Sequence, residues 1–308
     1  MRITTFLAAV AATVAFSGAA VAQDKDLGIE EFRVGLLGGE NEQDRLKNTA
    51  CMKERFEALL GVPVKVFPAA DYAGVIEGLL GGTLDYAYLG SSGFAAVYLE
   101  NPDAVTPILT RRQTDGAVGY YSVLVSRVDS GIESLDDMKG RKLGYADPNS
   151  TSGFLIPSVE FEQAGINVDE YFESATFSGG HEQNVLAVLN GDVDGGVTWT
   201  SHVGEYEDGF TSGNLRKMVD KGLLDMNDIQ IIWKSNIITN GPVVLRNGLP
   251  EQVALSVKGS LLTMPLEDPD CFRSAFGGEY TGFVEIDADF YSVVIEARRR
   301  KIEAQKAE

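Results

Sequence analysis

Apolar and polar positions along this chain fall into short blocks of two different periods. From Phe32 to Leu37 apolar residues alternate and then stop at Gly38-Gly39, which predicts a β-strand with one buried face. From Gln43 to Leu60 they recur every three or four residues, the spacing of an amphipathic helix, and Val62 to Phe67 returns to the strand pattern. Strand, helix, strand in that order predicts an α/β fold with a largely parallel sheet.

A weak internal repeat suggests that this architecture occurs twice. The helix-like Val75 to Leu80 is followed by Gly82-Thr83-Leu84-Asp85, a short strand and Gly90-Ser91-Ser92. The helix-like Val185 to Leu189 is followed by Gly191-Asp192-Val193-Asp194, a short strand and Thr198-Trp199-Thr200-Ser201. In each copy a glycine stops the helix, and the strand carries a small polar segment to the carboxyl edge of a sheet, where α/β folds bind ligands. Two further β-rich runs, Tyr120 to Val128 and Ile229 to Trp233 with Ile237-Ile238, read as strands crossing between two lobes. They divide the chain into a first lobe of residues 30–120 plus 237–285, a second lobe of 121–236, and a charged helical tail of 286–308. The Arg298-Arg299-Arg300-Lys301 run in that tail reads as a solvated helix end.

The N-terminus has the layout of a secretory signal. Arg2 precedes an apolar stretch from Phe6 to Phe16, and Ala20-Val21-Ala22 offers a small-residue cleavage site, so residues 1–22 are expected to be removed on export. No cysteine stands near that site to suggest a lipid anchor, and no membrane insertion is expected after cleavage. The formal charge of −19 argues against nucleic acid or anionic lipid as partners, and any anion site must be built locally against the overall field. The two cysteines, Cys51 and Cys271, fit either a disulfide or two buried thiols. There are only two histidines, and no metal-ligand spacing occurs; neither a metal nor a cofactor is expected.

The chemistry concentrates in Asp147-Pro148-Asn149-Ser150-Thr151-Ser152-Gly153-Phe154. Three hydroxyl residues follow a Pro-Asn turn and lead through glycine into a helix-compatible segment from Phe154 to Ala164. One hydroxyl suffices to cap a helix; three in a row, beside the unpaired N–H groups and positive dipole of a first turn, can hold a tetrahedral oxyanion without Lys or Arg.

That block, together with Asp71-Tyr72-Ala73-Gly74-Val75-Ile76-Glu77-Gly78, Gly119-Tyr120-Tyr121-Ser122-Val123-Leu124 and Ser134-Leu135-Asp136-Asp137-Met138-Lys139-Gly140, resembles the phosphonate-, phosphite- and phosphate-binding proteins of ABC importers (the PhnD type). The resemblance runs from about Phe32 to Phe283. It implies a two-lobed periplasmic binding protein of type II-like α/β fold, each lobe a mostly parallel sheet flanked by helices, with two hinge crossings. It implies that Ser150, Thr151, Ser152, Tyr72, Tyr120 and His181 hold a phosphorus oxyanion. On the residues alone, the tyrosines read equally as packing and His181 as a lone surface histidine; His202 is left as structural or exposed. Ser91 and Ser92 are further candidates from the opposite lobe, or else turn residues. Thr200-Ser201 and Ser235-Asn236 supply no carboxylate for an amine-bearing ligand.

The function expected is capture of a small phosphorus oxyanion, delivered to an importer permease by lobe closure. The alternative is a two-lobed binder of another anion, a carboxylate or sulfate. An enzyme is disfavoured by the lack of an Asp/His metal cluster, a nucleophile elbow or a serine with a visible base.

Overall fold

A computed structural model describes residues 27–307; the expected signal segment and its cleavage site lie outside the described residues. The first lobe opens with β1 (Phe32–Leu36), α1 (Glu42–Leu60), β2 (Val64–Pro68), α2 (Tyr72–Leu80), β3 (Tyr86–Tyr88), α3 (Ser91–Glu100) and β4 (Val105–Arg112). The chain then crosses to the second lobe: β5 (Gly119–Arg127), β6 (Lys142–Tyr145), α4 (Ile156–Gln163), α5 (Val168–Tyr171), β7 (Ser174–Phe177), α6 (His181–Asn190), β8 (Gly195–Thr200), α7 (Asn214–Asp220), β9 (Ile229–Lys234) and β10 (Ile238–Thr239). It returns as β11 (Pro242–Arg246), α8 (Glu251–Glu267), α9 (Pro269–Phe276), β12 (Gly282–Glu285) and α10 (Ser292–Ala307).

Local sequence accounts for these boundaries. Asn41 caps α1 by accepting from the N–H groups of Gln43 and Asp44, and Gly61 ends it in the left-handed conformation. Thr49, Met52, Phe56 and Leu60, at helical spacing, form its buried face. Strands show the period of two instead. In β5, Val123 and Val125 join one hydrophobic cluster while Leu124 joins another on the opposite face. In β11, Val243 and Leu245 face the cluster around Phe32 and Phe56, whereas Val244 faces the one around Phe94 and Tyr291. Each sheet is thus buried on both faces, as two-sided α/β layers require.

The two six-stranded sheets are mixed, which corrects the expectation of mostly parallel ones. β1 pairs in parallel with β2 and β3, and β6 with β7 and β8. Three strands run against these: β5, which pairs with β8, β9 and β10; β11, which pairs with β3 and β4; and β12, which pairs with β4. Helical crossovers deliver the parallel strands; the strands that carry the chain between lobes enter without one and run the other way.

Two crossings join the lobes, residues 113–118 and 240–241, so the runs expected to be crossing strands (β5, β9 and β10) instead lie within the second sheet. Gly241 permits the second: a Cβ there would lie 1.8 Å from the Leu89 carbonyl oxygen. The Asn240 carbonyl beside it accepts from Thr110 Oγ1 and Tyr291 Oη, each at 3.0 Å. The open question of the cysteines resolves as a disulfide, Cys51 to Cys271, which ties α1 to α9.

The tail differs from a simple solvated helix end. Val294 and Ile295 of α10 are buried in the first lobe's core. Arg299 and Arg300 are exposed and pair with Glu296. Arg298 and Lys301, one turn apart, instead face the second lobe: Arg298 donates to Asn149 Oδ1 at 2.7 Å as well as to Ser92 Oγ at 2.9 Å, and Lys301 pairs with Glu162. Among the described residues no helix is long and apolar enough to cross a membrane.

Candidate functional site

Between the lobes lies a cavity of about 610 Å³. The first lobe contributes Gly38, Gly39, Tyr72, Tyr88 and Arg111 to its wall; Tyr120, Ser150, Thr151, Ser152, His181 and Trp199 come from the second. Six of the eight residues proposed from sequence therefore meet in one place. Ser91 and Ser92 do not line it.

The turn that carries the three hydroxyls is built from its own sequence. Asp147 Oδ1 accepts from Asn149 N at 2.7 Å, and the Asp147 carbonyl from Ser150 N at 2.9 Å, which folds the chain back sharply. Ser150, in extended conformation, then caps the next segment, its Oγ accepting from Gly153 N at 3.0 Å. That segment, Thr151–Leu155, winds as a π turn, with Leu155 N bonding to the Ser150 carbonyl five residues back at 3.0 Å. The regular helix begins only at Ile156, two residues later than Phe154. The wider π ring opens the first turn and leaves the N–H groups of Thr151 and Ser152 at its mouth. Gly153 is required inside it: a Cβ would lie 2.4 Å from Ala146 Cβ and 2.9 Å from His181 Cε1.

His181 starts α6 and is 8 % exposed, with Nε2 at 3.0 Å from Ser150 Oγ. Its Nδ1 is buried without a partner. Either tautomer leaves one proton of the pair unused. When the imidazole donates, the Ser150 hydroxyl proton is free; when serine donates, Nδ1–H is. Burial drives the His181 pKa down to about 3, against an opposing pull from Glu40, so the ring is neutral at pH 7. Burial likewise raises the Tyr72 and Tyr120 phenols, keeping both protonated and able to donate. Tyr120 stands edge-on to Trp199, with ring centroids 5.3 Å apart. At this end of the cavity the result is a set of buried neutral donors suited to an anion.

Thr151, which lines the cavity, has a second job that its sequence did not suggest, and Ser91 shares it. Gly90 heads α3 without a capping side chain, and Thr151 Oγ1 from the other lobe accepts from Ser92 N at 2.8 Å in its place. Ser91 Oγ lies 3.4 Å from the same oxygen and 3.3 Å from the Thr239 carbonyl. Ser91 and Ser92 begin a helix and do not form a loop. The two lobes also meet through backbone: a Cβ on Gly180 would lie 2.3 Å from Gly39 Cα. At the rim, Lys217 and Lys221 of the second lobe pair with Glu40 at 2.6 Å and Asp44 at 3.0 Å of the first. Burial would raise the Glu40 carboxyl, but these lysines outweigh it and hold Glu40 below the usual range.

Sequence reading missed Arg111, a fully cationic side chain within the cavity wall. His202 lies elsewhere, at a positive φ of 56°, edge-on to Tyr121 and tilted against Phe210. Among the described residues no cluster of three or more His, Cys, Asp or Glu could hold a metal ion.

Residues 34–291 match the family described as "ABC transporter, phosphonate, periplasmic substrate-binding protein". The chain is 30% identical over 267 residues to the phosphate-import protein PhnD of Mycolicibacterium smegmatis, covering 84% of this chain and 77% of that one. It is 33% identical over 223 residues to the phosphonates-binding periplasmic protein of Escherichia coli, covering 70% of this chain and 61% of that one. In fold it is similar to PhnD1 of Prochlorococcus marinus in complex with methylphosphonate, with a TM-score of 0.73 at 20% identity, covering 88% and 98% of the two chains. A binding protein component of an ABC phosphonate transporter from Pseudomonas aeruginosa has the same fold, with a TM-score of 0.72 at 24% identity over 90% and 94%.

Proposed function

This chain belongs to the family of periplasmic phosphonate-binding proteins of ABC transporters, and from that premise we propose that its interlobe cup closes on a phosphorus oxyanion and presents it to an importer permease. The ligand-binding residues of this reading are Ser150, Thr151, Ser152, Tyr72, Tyr120 and His181. Ser91 acts behind Thr151, at the lobe contact. The closing units are the two lobes expected from the sequence, with their boundaries moved to the crossings at 113–118 and 240–241 because Gly119–Tyr120 and Ile238–Thr239 pair within the second sheet, and the tail 286–308 spans both. Export follows cleavage after Ala22, and the protein binds its ligand without transforming it.

One observation carries this reading. The Ser150–Ser152 turn, two protonated phenols and a neutral histidine converge on one cavity between lobes. Neutral donors of this kind select by the number and direction of lone pairs offered. A ligand that leaves a buried donor unpaired loses about 1–3 kcal/mol for each.

Thermal unfolding of the mature protein tests it against methylphosphonate, phosphite, phosphate and sulfate. A ligand present at about 1,000 times its dissociation constant adds roughly 4 kcal/mol of stability. The expected result is a large rise in Tm with at least one phosphorus oxyanion and none with sulfate. A rise with sulfate alone, or an incubation that stabilises no form of the protein, would remove the assignment. Phosphate release from a phosphonate or phosphate ester under the same conditions would contradict the non-catalytic role.

A further inference from the structure

The cavity has a second end, and its chemistry differs from that of the hydroxyl turn. Arg111 at the end of β4 is 4 % exposed. Its guanidinium carbon sits 4.4 Å from the ring centroids of both Tyr88 and Tyr280, and 5.8 Å from that of Trp199. Nη1 donates to the Phe276 carbonyl at 2.5 Å, while Nε is buried with no partner. The Tyr280 hydroxyl is also buried and unpartnered.

No carboxylate among the described residues pairs with Arg111. Those that line the cavity face other cations: Glu40 faces Lys217, Asp44 faces Lys221 at 3.0 Å, Asp220 faces Arg216 at 2.9 Å and Asp270 faces Arg273 at 4.0 Å. A buried guanidinium held by aromatic faces, the Tyr88 hydroxyl and one carbonyl, with no carboxylate partner, is costly, and cation–π contacts offset that cost in part. An anion delivered by the ligand would complete it.

Trp199 connects the two ends. Its ring stands 5.3 Å from Tyr120 and 6.5 Å from His181 on the turn side, and 5.8 Å from the Arg111 guanidinium carbon. A molecule anchored at Ser150–Ser152 and lying along the indole would bring its substituent to Arg111. The planar fork of a guanidinium matches a carboxylate in bidentate fashion and repels an ammonium group.

We propose that Arg111 is a specificity-determining residue and that the ligand is a phosphonate whose short alkyl substituent ends in a carboxylate. The phosphonate occupies the hydroxyl turn, so the inference rests on the reading given under Proposed function. The carboxylate meets the guanidinium from the cavity side, where Tyr88 and Trp199 line the wall beside it. Aminoalkylphosphonates are disfavoured by the same cation.

Calorimetric titration of the unmodified protein with phosphonoacetate, 3-phosphonopropionate, methylphosphonate and 2-aminoethylphosphonate tests the proposal. At least one phosphonocarboxylate should bind about tenfold or more tighter than methylphosphonate, and 2-aminoethylphosphonate should bind more weakly than methylphosphonate. Arg111→Met should erase the carboxylate preference and leave methylphosphonate affinity within about threefold. If methylphosphonate binds as tightly as both phosphonocarboxylates, or if Arg111→Met weakens every phosphonate equally, Arg111 only balances the phosphorus charge and the proposal fails. If Arg111→Met does not fold, the ranking of ligands by the unmodified protein still decides. Binding of none of the four overturns the phosphorus-oxyanion reading as well, whereas binding of methylphosphonate without the preference overturns this one alone.

Discussion

Ser150 is the busiest side chain in the cleft. Its Oγ accepts from Gly153 N and shares a proton with His181 Nε2, both at 3.0 Å, so the serine cannot rotate without breaking the cap of its own turn. His181 is thereby a positioning residue for Ser150 as well as a candidate ligand contact. His181→Gln is expected to weaken phosphonate binding about tenfold, the worth of one buried hydrogen bond. It should also change the acid limb of ligand-free stability. The folded-state pKa near 3 lies below the ordinary histidine value of 6.5. Between those values the unfolded chain binds a proton that the folded one refuses, so stability falls as pH drops from about 6.5 toward 3. The slope from this one group is at most about 1.4 kcal/mol per pH unit. Chemical denaturation of both proteins at pH 7 and pH 4.5 should show a smaller acid loss in the variant; equal losses would mean that His181 is not the group concerned.

At the level of elements, the sequence made the strands and most helices readable because their periods are local. Phe32 to Leu36 alternates, and the Asp71 cap at the start of α2 stands four residues before a buried valine. The π turn was hidden because Ser-Thr-Ser-Gly caps an ordinary helix equally well. The room the turn needs is set from outside it: Gly153 lies where any Cβ would strike Ala146 and His181, and neither neighbour belongs to the Ser-Thr-Ser-Gly run. Arg111 was hidden for a related reason. Arg111-Arg112 at a strand end looks like a solvated pair, and only the return of Phe276 and Tyr280 from the far end of the chain buries the first of them. Arg298 was misread likewise, since its partners Asn149 and Ser92 lie on other elements.

The junction of the π turn with α3 belongs to this same scale. Thr151 Oγ1 caps Ser92 N across the lobes at 2.8 Å, a contact that exists only when they are together. Thr151→Val keeps the shape and removes the acceptor, at a cost of about 1–2 kcal/mol to the closed form. Ligand affinity should fall roughly 5- to 30-fold while the Tm of the ligand-free protein changes little, and Thr151→Ser should restore most of the affinity. A Thr151→Val protein with unchanged affinity would show that the cap does not help hold the lobes together.

For the whole molecule, closure depends on features spread over both lobes. Gly39 meets Gly180 backbone to backbone, Lys217 and Lys221 meet Glu40 and Asp44, and α10 reaches across from its seat in the first lobe. The partly buried ion pairs recover their own desolvation cost only in part, which leaves the proposed ligand to supply much of the free energy of closure. The disulfide ties α1 to α9 within the first lobe. The acidic surface, at −19, disfavours anions everywhere except where the fold has arranged donors for them.

The most direct measurement is a crystal structure of the mature protein with methylphosphonate. The phosphorus should lie at the mouth of the Ser150–Ser152 turn, with its oxygens about 2.5–3.2 Å from donors of that turn and of Tyr72 or Tyr120. Electron density for the oxyanion on the rim lysines Lys217 and Lys221, with the turn left empty, would contradict the account.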